Sequence, residues 1–496
     1  MTGQGAEHFD VVVVGAGLSG VGAACRLRQK CPRKHFAILE RRDAMGGTWD
    51  LFRYPGVRSD SDMYTLGYGF RPWRDAKAIA DGPAILNYIR ETAAEYGVDQ
   101  KIRYGHRVRR ASWSSADALW TVEAETETCI VQFTCNFLYL CTGYYDYESG
   151  YTPEWPGVER FGGRIVHPQK WPEDLDYAGK RVVVIGSGAT AVTLVPALAG
   201  RAAHVTMLQR SPTYVVSMPS EDKVANRLRA HLPARAAYAL TRWKNVLVGM
   251  FFYGLSRTRP LIMKRMIAKG IRRQLGEDYD LKHFTPQYNP WDQRLCLVPD
   301  SDLFRAIRGG RASVVTDHIE SFTETGLLLR SGERLDADLI VTATGLVLKL
   351  MSGMQLVVDG VPLEIAKKII FKGMMYSDVP NLAFAIGYTN ASWTLKCDLT
   401  AEYVCRLLNH MDASGYDWCA PRRNDPSLTE EPIVNFTSGY VRRALDTLPR
   451  QGSRRPWRLY QNYALDLLTL RHSAIEDGTL EFGRATGRTT ARWPSA

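Results

Sequence analysis

Residues Phe9–Gly20 read FDVVVVGAGLSG, and their reading decides the fold. Phe9 and the unbroken β-branched run Val11–Val14, with Asp10 between them, read as a strand buried on both faces of a parallel sheet. Gly15, Gly17 and Gly20 then fall in GxGxxG spacing, and a helical pattern runs from Val21 to Gln29. A second strand, His35 to Leu39, ends at Glu40. Strand, glycine turn, helix and strand ending in an acid form a dinucleotide-binding unit. The glycines let a pyrophosphate approach the backbone, the helix N-terminus attracts the phosphates, and Glu40 can accept from ribose hydroxyls. Ser19 is a further expected contact to the pyrophosphate.

The pattern recurs. RVVVIG from Arg181 leads into Gly186, Ser187, Gly188, Ala189, Thr190, Ala191 and Val192, a GxGxxA variant. A helix to about Leu198 and the strand HVTMLQR follow. Glu40 lies 25 positions after Gly15, and Arg210 lies 24 after Gly186. A carboxylate at that place repels a 2′-phosphate, whereas a guanidinium grips it with two donors. The second nucleotide is therefore read as NADPH, with Ser211 assisting Arg210. Two nucleotide units divide the labour between a resident flavin, FAD, and a hydride donor.

Each unit ends in a strand followed by Thr-Gly: FLYLCTG ends at Gly143 and DLIVTATG at Gly345. The strand NLAFAIG near Pro380 marks a return to the first unit. The expected fold is thus α/β, with two Rossmann-like dinucleotide-binding domains and a helical insertion. The boundaries read as FAD domain 1–150, NADP domain 151–215, basic helical insertion 216–290, NADP domain again 291–375 and FAD domain again 376–496.

Composition sets the remaining bounds. A 496-residue chain with 45% hydrophobic and 23% charged residues is a globular protein of several domains. Nine scattered cysteines without a CxxC pair argue against a disulfide framework, a metal site and a dithiol redox centre. A strand begins by Phe9, leaving no room for a signal peptide, and no apolar run suits a bilayer span. A cytoplasmic protein is expected. The net charge of +11 is uneven: residues 223–273 carry thirteen Lys or Arg and no Asp or Glu, interleaved with apolar patches. That segment reads either as a solvated helical face or as a peripheral attachment to the inner face of the cell membrane. No motif supports nucleic acid.

Two further stretches carry a family resemblance. FGGRIVHPQKWP, Phe161–Pro172, matches FxGxxxHxxxWP, and GGTWDLFRYPGVRSD, Gly46–Asp60, matches GGxWxxxxYPGxxxD. With both nucleotide signatures in order, the chain resembles the Baeyer–Villiger (class B flavin-dependent) monooxygenases over nearly its whole length. VRSDSDMYTLG, HPQKWPEDLDY and YNPWDQRLCLVP resemble the ethionamide-activating branch. The resemblance implies FAD, NADPH, O2 and a small ketone or sulfide substrate, with ketones converted to esters through a C4a-peroxyflavin. It implies that Arg294 is the active-site cation and Asp60 the carboxylate that orients it. Thr48, Trp49, Asp50 and Leu51 are implied flavin neighbours, Arg58 a nicotinamide-side contact, and Val108 an adenine contact through its backbone. His167 is expected to hold the crossing between the two units by hydrogen bonds rather than to transfer protons. Relatives carry Lys before the arginine where this chain has Gln293, which leaves more of the 2′-phosphate to Arg210. The competing readings are an oxygenase acting mainly on sulfur or nitrogen, a flavin reductase, and a non-catalytic flavin-binding protein of the membrane surface.

Overall fold

The computed structural model describes residues 6–434 and 438–486. Strand β1 (Glu7–Val14) is followed by helix α1 (Leu18–Lys30) and by β2 (Phe36–Leu39), which lies parallel to β1 with Val11 opposite Phe36. The last four residues of β1 and all four of β2 are buried, as a strand covered on both faces requires. β3 (Ile102–Arg103), β4 (Arg107–Ser114), β5 (Leu119–Glu125) and β6 (Ile130–Leu140) extend this into a nine-stranded sheet. One edge of β6 is shared: its first half pairs antiparallel with β5, and its last three residues pair parallel with Leu382–Phe384. The short helices α2 (Thr48–Leu51) and α3 (Met63–Leu66) and the longer α4 (Gly82–Glu95) follow β2.

The glycines of the first turn are sterically required. Gly15 has φ +103°, and a Cβ there would sit 2.6 Å from the Cys141 carbonyl oxygen. A Cβ on Gly20 would sit 1.8 Å from the Gly15 carbonyl oxygen. The first glycine makes the turn and the third lets α1 close onto it.

A crossover strand, β7 (Tyr145–Gly150), leads to the second sheet. That sheet is all parallel, with β8 (Arg164–Val166), β9 (Arg181–Ile185), β10 (His204–Gln209) and, after β11 (Val215–Met218) and β12 (Cys296–Pro299), β13 (Ala312–Thr316). Its order is β13-β10-β9, then Leu339–Thr342, then β8. Helix α5 (Ala189–Leu198) joins β9 to β10. Three helices, α6 (Lys223–His231), α7 (Ala234–Thr258) and α8 (Pro260–Leu275), fill the basic stretch, and α9 (Asp302–Arg308) follows β12. The long helix α10 (Trp393–Ser414) packs on α1 in the largest core cluster. Among the described residues no helix is long and apolar enough to cross a membrane.

The chain rejoins the first sheet earlier than the expected boundary at 376. Gln355–Val358 already pairs parallel with β4, with Leu356 opposite Ala111. The edge of β4 away from β5 is open, and a mostly apolar strand of four residues satisfies it.

The two passages between the sheets lie side by side. β7 pairs antiparallel with Leu346–Leu348, placing Gly150 against Leu346 and Tyr145 against Leu348. His167 locks this crossing. Its Nδ1 accepts from the Gln169 backbone N–H at 3.2 Å, so Nε2 carries the proton and donates to the Gly345 carbonyl at 3.3 Å. A Cβ on Gly150 would land 1.9 Å from the imidazole. Burial pushes the His167 pKa below its ordinary 6.5, and the bond to Gly345 only partly opposes this.

Two outcomes follow from these contacts. Gly20→Ala lowers stability by about 1–3 kcal/mol or more, because backbone must move to admit the methyl group; thermal melts and flavin content of the purified variant check it. His167 is held neutral, so its contribution is present above pH 6.5 and declines as pH falls through that value, where the unfolded chain binds the proton more readily. Unfolding curves of wild type and His167→Gln differ by about 0.5–1.5 kcal/mol per lost bond above that pH and converge below it.

Candidate active site

The ends of β1 and β9 each present a helix N-terminus without a cap. Gly17 precedes α1 and Gly188 precedes α5; neither has a side chain to accept the first-turn N–H groups, and neither helix has an acid in its first turn. Nothing lies within 4 Å of where a Cβ on Gly188 would be. Open N–H donors with a favourable dipole and free space are what a phosphate group needs, so both turns fit a dinucleotide. Ala189 is exposed and Thr190 half-buried beside this space, while Ala191 and Val192 turn into the core.

Glu40 stands at the end of β2, 5% exposed. It accepts from the Ala16 N–H at 2.7 Å and from the Arg42 N–H at 2.9 Å. The carboxylate thus ties the glycine turn to its own strand, and burial pushes its pKa up against the pull of those donors. Val108, on β4, is buried, and the backbone beside it is tied to this corner through the His106 N–H on the Glu40 carbonyl. Arg210 is exposed at the end of β10 and makes no ion pair among the described residues. The neighbouring Ser211 carbonyl accepts from Ser187 Oγ at 3.2 Å, which joins Arg210's strand end to the second glycine turn.

Several expected flavin neighbours have their side chains engaged elsewhere. Asp50 is 3% exposed and pairs with Arg42 at 2.6 Å, Arg53 at 3.1 Å and Arg90 at 3.5 Å. Its carboxylate staples α2 to its surroundings. Thr48 Oγ1 hydrogen-bonds the Tyr145 hydroxyl, while Trp49 and Leu51 are half-buried. Ser19 accepts from the Trp393 indole N–H at 2.8 Å, and Trp393 stacks on Tyr144 with ring centroids 5.0 Å apart. The hydroxyl assigned to a pyrophosphate therefore links α1 to the start of α10.

The charged centre joins residues far apart in sequence. Arg294 Nη1 lies 3.4 Å from Asp60 Oδ2, and the two side chains are 41% and 50% exposed. Partial desolvation of this half-exposed side chain disfavours the cation, but the attraction of its neighbours, Asp60 foremost, outweighs it and holds the Arg294 pKa above its ordinary range. Burial pushes the nearby Cys296 thiol up to about 12, so it stays protonated. Trp291 adopts φ +68°, turning the loop that carries Arg294. Arg58 is paired with Asp302 at the start of α9, and its Nε is buried without a partner. Sequence reasoning missed Asp302, because nothing local links two residues 244 positions apart. Among the described residues no cluster of His, Cys, Asp or Glu could hold a metal ion.

This arrangement has known counterparts. A flavin-binding monooxygenase-like model matches residues 78–386, and an NAD(P)-binding Rossmann-like domain model matches 13–82. The FAD-containing monooxygenase EthA of Mycobacterium tuberculosis is 57% identical over 480 residues, 96% of this chain and 98% of that protein. EthA of Mycolicibacterium smegmatis is 53% identical over 478 residues, 96% and 97% of the two chains. An oxidised steroid monooxygenase bound to NADP shares the fold, with a TM-score of 0.74 and 23% identity over 96% of this chain and 100% of that one. Two phosphate-ready glycine turns in one chain, with this degree of identity across its length, establish that the protein belongs to the flavin-binding monooxygenase-like family.

Proposed function

We propose that the protein is an FAD- and NADPH-dependent Baeyer–Villiger monooxygenase that uses O2 to convert ketones to esters. The observation that carries this reading is the contact between Arg294 and Asp60. Gly15, Gly17, Gly20 and the α1 N-terminus hold the FAD pyrophosphate, and Glu40 takes the ribose. The α5 N-terminus holds the NADPH pyrophosphate, and Arg210 with Ser211 takes the 2′-phosphate. The flavin, when bound, accepts hydride from NADPH and activates oxygen.

The chain's own part in the chemistry is electrostatic. Attack on a ketone moves negative charge onto the carbonyl oxygen. A guanidinium that keeps its proton and is fixed by a carboxylate meets that charge without reorganising. Asp60 is the positioning residue and Arg294 the catalytic one. Oxidation of a thioether builds no such charge on the substrate, so a fixed cation favours the carbonyl over sulfur. The names of the EthA relatives, FAD-containing monooxygenases, support the cofactor and the reaction class.

Arg294→Ala abolishes ester formation while NADPH still bleaches the flavin anaerobically; product chromatography and stopped-flow absorbance separate the two, and a normal ester yield removes the assignment. Arg210→Ala lowers the preference for NADPH over NADH by about 1.5–3 kcal/mol, read from the ratio of kcat/KM values. An unchanged ratio assigns the 2′-phosphate to another residue.

A further inference from the structure

The basic insertion has two unlike sides. The inner side of α7 is bonded into the molecule. Arg242 donates to the carbonyls of Tyr64 and Gly67 at 2.7 and 2.8 Å, and Asn245 donates to Asp62 at 2.9 Å. Tyr253 packs edge-on against Trp291, and Val246 is buried against Tyr388 and Leu395. The outer side is apolar and largely exposed, with Trp243 leaning on Tyr463. Leu240, Trp243, Leu247 and Phe251, spaced by three or four residues and so on one face, are 53%, 40%, 57% and 64% exposed. The adjoining α8 adds Leu261 and Met266, 66% and 48% exposed, and buries Met263, Ile267 and Ile271. Isolated exposed apolar residues are ordinary; a contiguous helical row of this kind marks an interface.

The charge around this row identifies the occupant. Of the thirteen cations in 223–273, Lys244, Arg257 and Arg272 pair with carboxylates, and Arg229 and Arg242 are bonded to carbonyl oxygens. The remaining eight, among them Arg235, Arg259, Lys264 and Arg265, have no acidic partner among the described residues. A second copy docked here about a two-fold axis would set this acid-free surface against itself. A nucleic acid would satisfy the charge but leave the apolar row against phosphates. An anionic bilayer satisfies both, because side chains of Leu, Trp and Phe enter the acyl boundary while Lys and Arg meet the headgroups. We propose that the outer faces of α7 and α8 seat the protein on an anionic membrane surface. This rests on exposure and charge, not on the chemistry assigned to Arg294.

The test is flotation of the flavin-loaded protein with vesicles of phosphatidylcholine alone and with about one-third phosphatidylglycerol. The expected result is binding to the anionic vesicles only, weakened about tenfold or more when salt is raised from about 0.1 to 0.5 M. Leu247→Ser with Phe251→Ser, and separately Arg265→Glu with Lys269→Glu, each weaken binding about tenfold or more, with flavin content and melting temperature unchanged. No flotation of the wild type at low salt overturns the proposal. So does equal binding by the variants, a wild-type dimer in light scattering that the Ser variant converts to monomer, or retention on duplex DNA without retention on vesicles.

Discussion

Everything at the candidate centre depends on holding two nucleotide-binding sheets in one fixed relation. The chain passes from the first sheet to the second through β7 and back through Leu346–Leu348, and these two passages pair with each other. His167 pins the pair from the second sheet's side through the Gly345 carbonyl. With that crossing fixed, Asp60, on the first unit's side, can meet Arg294, which leads into β12. An imidazole with one nitrogen accepting and the other donating suits this clasp, since it satisfies two backbone groups with one rigid ring.

The Arg294–Asp60 contact is poorly suited to stabilising the fold. Pairs with both members this exposed contribute about 0–1 kcal/mol, because water already solvates each charge. Its value lies in orientation: the carboxylate restrains a long side chain that would otherwise sample many rotamers. The Asp50 cluster is the opposite case. A carboxylate 3% exposed among three arginines holds local structure, and removing it would leave like charges crowded together.

The parts legible in the sequence were those written in local pattern. β1, α1, β9 and α5 follow from apolar runs and glycine spacing, and the structure moves their ends by only a few residues. The return of Gln355–Val358 to the first sheet was not legible, because a strand of four residues does not state which open edge it will join. Nor were the bonds from Trp393 to Ser19 and from Arg58 to Asp302, which close over hundreds of residues and depend on packing geometry alone. The surplus of cations in 223–273 was plain as composition, whereas the row of bare apolar side chains on α7 required the helix to be placed.

Helix α7 is a single rigid rod whose inner edge touches Asp62 and Trp291, near the two residues of the charged centre. Rigid rods transmit displacement. Whatever bears on the outer edge shares a free-energy cycle with whatever occupies the inner one, and such cycles are reciprocal. Any change that a load on that helix makes in the affinity for a guest beneath it would be matched by an equal change that the guest makes in the affinity for the load.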